Sequence, residues 1–279
     1  MRKVYIYPFS LNSNEYIENL KEIFLKNHFK ILKPPKLSRL IFFQTDKSDK
    51  TIIINWLENK AVFQGKLNFI RLLKVIFYLI FLRLNRFKLI RFEHNLFPHT
   101  LKNPKLFLFI EKHILNYFFH SSISLNFAHK FENFIPHPKY KPLVRTPPKD
   151  NKILIFGRIV RYKKIEESLK LIPHTFQVMV SGIVEDEEYF QEISKKFRCK
   201  NIVFYPNPTS TALKKLLNET QYFLVNAQSK SYLNSGSAIF ALSNNRYVVT
   251  DEKVIYRNIV KTCPKGILTL SELKQNNKK

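Results

Sequence analysis

The chain has 279 residues, of which 45% are apolar and 14% aromatic, and its 26 Phe far outnumber its 5 Gly. That composition excludes a disordered or fibrous protein and leaves room for two modest globular domains. Lys and Arg outnumber Asp and Glu by 47 to 21, and the net charge of +26 divides as +16 up to Pro148 and +10 beyond it, so no single tail carries it. Such a field favours nucleic acid, an anionic bilayer surface or phosphorylated substrates, without choosing among them.

The segment MRKVYIYPF starts at once with a strand-like run, Val4 to Phe9, and lacks the apolar core and cleavage site of a secretion signal. Asn12 and Ser13 are N-cap candidates for a helix running to about His28, and Leu40 to Gln44 and Thr51 to Trp56 read as two short strands. Strands alternating with helices predict βαβ units and a parallel sheet. No glycine-rich fingerprint follows the first strand, which argues against dinucleotide binding.

Residues Gly65 to Phe92 are strongly apolar, yet the longest uncharged run, Val75 to Leu82, is far short of the roughly 18 residues that cross a bilayer. Lys66, Arg71 and Lys74 precede that run; Arg83, Arg86, Lys88 and Arg91 follow it. Two readings stand side by side. One is a helix in the headgroup plane, with Arg71, Lys74, Arg83 and Arg86 meeting anionic lipid and Phe77, Tyr78 and Phe81 inserting shallowly. The other is a core helix with snorkelling ends.

Lys88 to Phe92 reads as a strand, and Glu93, His94, Asn95 and His99 lie just past its carboxyl end, where open α/β sheets bind ligands. The spacing of His94 and His99 is not that of a helical metal pair, and no third ligand is identifiable, so no metal is expected. Cys199 and Cys263 lack any CxxC or Cys/His spacing, which argues against a disulfide framework and fits a reducing compartment.

Ser121 to Leu125 is the next expected strand, and the prolines flanking His137 keep that residue out of a helix. The segment KPLVRTPPKDNK has no periodic pattern and is the expected boundary between domains at 1–145 and 150–279. Beyond it, ILIFGRIVRYKKIEE combines a buried strand, Gly157, a cationic turn (Arg158, Arg161, Lys163, Lys164) and an amphipathic stretch with Ile165, Leu169 and Ile172 at helical spacing. Backbone N–H groups and cations converging at a strand end and a helix start make an anion site. The βα alternation then repeats, with strands at Phe176 to Ser181, Ile202 to Tyr205 and Tyr222 to Asn226. Ser235, Gly236 and Ser237 at a later helix start offer a second set of donors.

Taken in order, the segments IIINWLEN, RFEHNLFPHT, FIPHPKY, ILIFGRIVRYKKIEE and YLNSGSAIFALSNNRYVV resemble those of GT-B glycosyltransferases that build bacterial surface polysaccharides. The resemblance implies an α/β fold of two Rossmann-like domains with parallel sheets facing a cleft. It implies an acceptor in the first domain and a nucleotide-sugar in the second. Arg158 and Lys163 match positions that hold the donor diphosphate; Ser235, Gly236 and Ser237 match the donor sugar and nucleotide region. His94 matches a histidine that orients or deprotonates an acceptor hydroxyl, with Asn95 and His99 beside it. The implied enzyme is metal-independent, needs no cofactor, and works at the cytoplasmic face of the inner membrane on a saccharide or lipid-linked acceptor.

This chain departs from the pattern in three places. Tyr232 and Phe240 stand where many members carry glutamates, and Lys164 stands where a glycine is usual after the lysine. A basic nucleic-acid-binding protein is the alternative reading; it is weakened by charge spread along the whole chain and by the lack of a recognised nucleic-acid module.

Overall fold

The structure is a computed structural model that describes residues 2–11, 15–36, 50–95, 97–98, 101, 103–125, 137–144, 146–148, 152–199, 201–225, 235–250 and 266–276. The strand expected at Leu40 to Gln44, the caps Asn12 and Ser13, and His99 and Tyr232 fall outside these residues. The chain divides into two compact units, changing over between Pro138 and Lys139.

In the first unit, β1 (Lys3–Tyr7), α1 (Tyr16–Lys26), β2 (Lys30–Leu32) and β3 (Lys50–Asn55) are followed by a hairpin, β4 (Val62–Phe63) and β5 (Lys66–Leu67). Then come α2 (Phe69–Leu84), β6 (Phe87–Glu93), α3 (Lys105–His113) and β7 (Ser121–Ser124). The five long-range strands form one sheet, β2-β1-β3-β6-β7, every pair parallel. A parallel sheet needs cover on both faces, which is why β3 reads KTIIIN rather than alternating. Ile52, Ile54 and Leu89 meet Leu72, Val75, Leu79 and Leu82 of α2 on one face. On the other face, Val4, Ile6 and Ile53 meet Tyr16, Ile17 and Leu20 of α1. Each such side chain contributes about 1.5–3 kcal/mol by leaving water.

The second unit runs β8 (Lys152–Phe156), α4 (Ile165–Leu171), β9 (Val178–Gly182), α5 (Glu187–Lys196), β10 (Ile202–Pro206), α6 (Ser210–Glu219), β11 (Thr220–Leu224), α7 (Gly236–Ser243), β12 (Tyr247–Thr250), β13 (Ile267–Thr269) and α8 (Leu270–Asn276). Its parallel sheet has the order β10-β9-β8-β11-β12-β13. Local chemistry sets the helix starts: Asp186, Thr209 and Ser235 each accept a bond from the backbone N–H three residues on. The proline-rich segment is tied to this unit. Asn244 Oδ1 accepts from Leu143 N (2.8 Å) and Val144 N (3.2 Å), and the buried Arg246 donates to the Thr146 carbonyl (3.1 Å).

The α/β architecture expected from the sequence is the one present. Most element ends move by one to three residues, and β2, the hairpin, β13 and α8 give no periodic signal because they are only two to seven residues long. In each sheet the first strand lies inside, and the chain reverses its direction of growth between β1 and β3 and between β8 and β11. Carboxyl ends at such reversals are where open α/β sheets hold ligands. No helix among the described residues is long and apolar enough to cross a membrane.

Candidate functional site

At the carboxyl end of β8, Gly157 adopts φ +143, and a Cβ there would meet Ser237 Oγ at 3.1 Å. Gly182, φ +155, has no room at all, since its Cβ would lie 1.5 Å from the Gly157 carbonyl oxygen. Glycine at both strand ends therefore lets β8, β9 and the start of α7 close on one another. The corner they make encloses about 40 Å³ and is lined by Gly157, Arg158, Lys163, Ser168, Ser181 and Ser237 among others.

The four cations of the turn have different fates. Arg161 is committed to acids, donating to Glu192 at 2.8 Å with Asp186 at 3.9 Å, and Lys164 pairs with Glu167 at 3.0 Å. Arg158 and Lys163 remain at the corner. Arg158 donates to the Tyr162 hydroxyl (2.6 Å) and, more loosely, to Glu185 (3.4 Å), which fixes its fork while leaving further N–H donors. Burial lowers the Lys163 ammonium to about 8, and the nearby Arg158 adds to the effect. A half-desolvated lysine beside an arginine is poised to gain from a neighbouring anion.

The helix start expected to share this site differs from the expectation. The Ile165 N–H, first in α4, donates to the Tyr189 hydroxyl at 2.9 Å, and that hydroxyl donates in turn to Glu166. From α7, Ser237 lines the corner. Ser235 spends its hydroxyl capping the helix at Ala238 N (3.4 Å), and Gly236 lies against the Tyr140 hydroxyl. Lys164 shows why glycine is usual at its position: its backbone is left-handed, φ 50 and ψ 47. Phe240, where a glutamate is common, stacks on Phe156 at 5.0 Å and carries no polar group.

The first unit gathers a second cluster at its own reversal point. His94 directly follows β6 and is buried. Its Nε2 lies 2.9 Å from Asn55 Oδ1 at the end of β3. Asn55 also receives the Tyr16 hydroxyl (3.3 Å) and donates from Nδ2 to the Tyr7 carbonyl (3.0 Å) at the end of β1. Trp56 stacks on the imidazole, centroids 3.9 Å apart, and Tyr16 meets it edge-on at 4.6 Å. Tyr16 also packs on His137, whose Nδ1 donates to the Pro138 carbonyl at 2.8 Å. Burial pushes His94 well below its usual value, with His137 and Arg91 adding. Burial likewise brings His137 down to about 4, against the opposing pull of its backbone bond. Arg91 is itself buried and paired with Glu111 and Glu93, and burial raises the Glu93 carboxyl despite that pairing. Asn95 is buried beside His94.

Asn55, Trp56 and Tyr16 are absent from the residues singled out by sequence. The one available signal was IIINWLEN, a polar residue and an aromatic directly after an apolar strand. Among the described residues no group of three or more His, Cys, Asp or Glu is arranged to hold a metal ion.

On α2, Leu72, Val75, Leu79 and Leu82 face the core, and Phe69, Ile70, Leu73, Phe77 and Leu84 are exposed. Tyr78 and Phe81 differ from their expected outward pose. Tyr78 packs on Tyr7 and donates to the Pro35 carbonyl (3.3 Å), and Phe81 is half-buried against the core. Arg71 reaches the Val62 carbonyl (3.3 Å) and lies over the Phe63 ring, and Arg83 donates to His120 (3.0 Å). Lys74 and Arg86 stand exposed.

No protein-family description matches the sequence, and no curated protein does. Solved structures do match. They include AviGT4, a glycosyltransferase involved in avilamycin A biosynthesis, with a TM-score of 0.57 and 12% identity over 96% of this chain and 84% of that one. The lipopolysaccharide outer core galactosyltransferase WaaB in its apo form has a TM-score of 0.52 and 9% identity over 96% and 92%. The S. aureus MnaA–UDP co-structure has a TM-score of 0.50 and 11% identity over 100% and 87%. The chain thus has a glycosyltransferase-like fold, GT-B in type, along nearly its whole length.

Proposed function

We propose that the protein is a glycosyltransferase that moves a sugar from a nucleotide-sugar to a saccharide acceptor. The observation that carries this reading is the corner at the end of β8. There Gly157 leaves no more than the space of a Cβ before Ser237, and the half-desolvated Lys163 stands beside Arg158. A diphosphate leaving group gathers negative charge as the sugar departs, and two prearranged cations stabilise that charge. Arg158 and Lys163 hold the diphosphate, and Ser235, Gly236 and Ser237 form the adjoining wall for the donor. In the first unit, His94 is the proton acceptor for the acceptor hydroxyl, with Asn95 beside it. No cofactor or metal is required in this reading.

The acceptor we propose is lipid-linked, met at the cytoplasmic face of the inner membrane. The exposed face of α2 supports this: Ile70, Leu73, Phe77 and Leu84 make an apolar strip, with Arg71, Lys74, Arg83 and Arg86 as its cations. A nucleic-acid-binding role is not favoured, because the fold is glycosyltransferase-like.

The test is to incubate the protein with a panel of nucleotide-sugars and follow the slow release of nucleoside diphosphate. Release from one donor, lost in Lys163→Ala, is the expected result. No binding and no release with any donor would end the proposal.

A further inference from the structure

The hydrogen bonds around His94 define which of its nitrogens is free to take a proton. A backbone carbonyl only accepts, so the 3.0 Å contact with the Tyr7 carbonyl must be made by the Asn55 NH2 group. That fixes the amide the other way round toward His94: the atom 2.9 Å from Nε2 is the Asn55 carbonyl oxygen, which also accepts from Tyr16. An oxygen acceptor requires a proton on Nε2. The buried ring is neutral near pH 7, because burial disfavours its charged form, so the single ring proton sits there and Nδ1 is left bare.

Trp56 holds the other degree of freedom. Its backbone is left-handed, φ 50 and ψ 29, a conformation that bulky residues rarely adopt, and its indole lies nearly parallel to the imidazole at 29°. Such backbone persists only where the surroundings over-determine it, and it clusters at functional sites. Extended backbone at this position would carry the indole away from the ring it covers.

We infer that Asn55 and Trp56 form a holder at the end of β3 that keeps His94 as its Nε2–H tautomer and presents Nδ1 as the proton acceptor. Asn55 and Trp56 are positioning residues and His94 is the group they position. The catalytic part of the inference rests on the transferase reading above; the tautomer does not. In the transfer step, Nδ1 takes the proton from an acceptor hydroxyl as the new C–O bond forms and the bond from the sugar to the diphosphate breaks. The ring then carries both protons until it returns one to solvent.

The test uses the full chain, uniformly labelled with 15N, and long-range 1H–15N spectra of the His94 ring at pH 7. The groups that also bear on its charge are Arg91 and Glu93 of β6, Tyr16 of α1, and His137. In the wild type we expect Nε2 protonated and Nδ1 bare; a proton on Nδ1 overturns the inference. Asn55→Leu should yield a mixture of tautomers, and persistence of the wild-type pattern in a folded variant overturns the role of Asn55. Should Asn55→Leu fail to fold, Asn55→Asp is nearly isosteric and places a carboxylate on Nε2, so His94 should titrate at higher pH than in the wild type. An unchanged titration overturns the inference. Once a donor is found, Asn55→Leu should lower kcat about 100-fold with donor KM nearly unchanged. Retained kcat alongside the altered tautomer would overturn the catalytic part alone. A protein that turns over no donor leaves the spectra to decide the tautomer.

Discussion

Lys163 carries a pH signature of its own. Its folded value of about 8 lies below the usual 10.5, so protonated Lys163 opposes folding below about pH 8. Stability from this group should therefore rise as pH climbs from about 8 toward 10.5, because the unfolded chain holds the extra proton over that window. A bound diphosphate reverses the preference, so nucleoside diphosphate affinity, followed by calorimetry, should fall as pH rises above about 8. Lys163→Ala should abolish that pH dependence. Both Lys163→Ala and Arg158→Ala should weaken a nucleoside diphosphate about tenfold more than the bare nucleoside, since a charged hydrogen bond contributes about 1.5–3 kcal/mol. The half-exposed Arg158 belongs at the lower end of that range. His94 and His137 act with the same sign at lower pH. Both are depressed, so the unfolded chain takes up protons first as pH falls below about 6.5, and stability is lost from there toward pH 4. Urea midpoints should drop across that interval, and His137→Gln should flatten the drop. Lys164→Gly should raise the thermal midpoint by the equivalent of about 1 kcal/mol, since glycine enters the left-handed region without a Cβ clash.

At the scale of single elements, α2 is the most informative. Its sequence is apolar almost all the way round, so period alone does not say which stripe enters the core. The sheet decides: β3 and β6 take Leu72, Val75, Leu79 and Leu82, and the opposite stripe is left in solvent. Of the two readings of this segment, the core helix describes the buried face, and the helix in the headgroup plane is a proposal for the exposed one. If the outer face docks on lipid, the protein should sediment with anionic vesicles and not with neutral ones. Each cation near the surface adds about 1 kcal/mol, screened by salt, so high salt should release most of the protein. The double change Leu73→Asp with Phe77→Asp should abolish sedimentation without altering the fold, because both side chains are exposed. Equal binding to both kinds of vesicle, or to neither, would remove the membrane from the account. At α4, by contrast, a helix start that looks free in sequence is occupied by Tyr189 from α5, 24 residues away.

For the whole molecule, the two sheets divide the proposed labour, with His94 in the first unit and the cationic corner in the second. The fragment 139–279 should accordingly bind a nucleoside diphosphate with the affinity of the full chain and release none from a nucleotide-sugar. Loss of binding in a folded fragment would mean that the first unit contributes to the donor site. By itself the sequence determined the α/β class and the order strand, Gly157, cationic turn after β8. Those residues occupy one stretch from Ile153 to Glu167, so chain connectivity alone keeps them close, whereas Ser181, Gly182 and Ser237, which complete the corner, come from distant segments. Only the tertiary structure decided which acids engage the cations of that turn, because Glu192 and Asp186 reach Arg161 from α5 and its cap. It also decided what surrounds His94. Asn55 lies 39 residues before it in the chain, and Tyr16 a further 39 before that. In a parallel sheet neighbouring strands are joined by long crossovers, so the residues that share a carboxyl edge are set by strand order and register, and no short-range pattern records them.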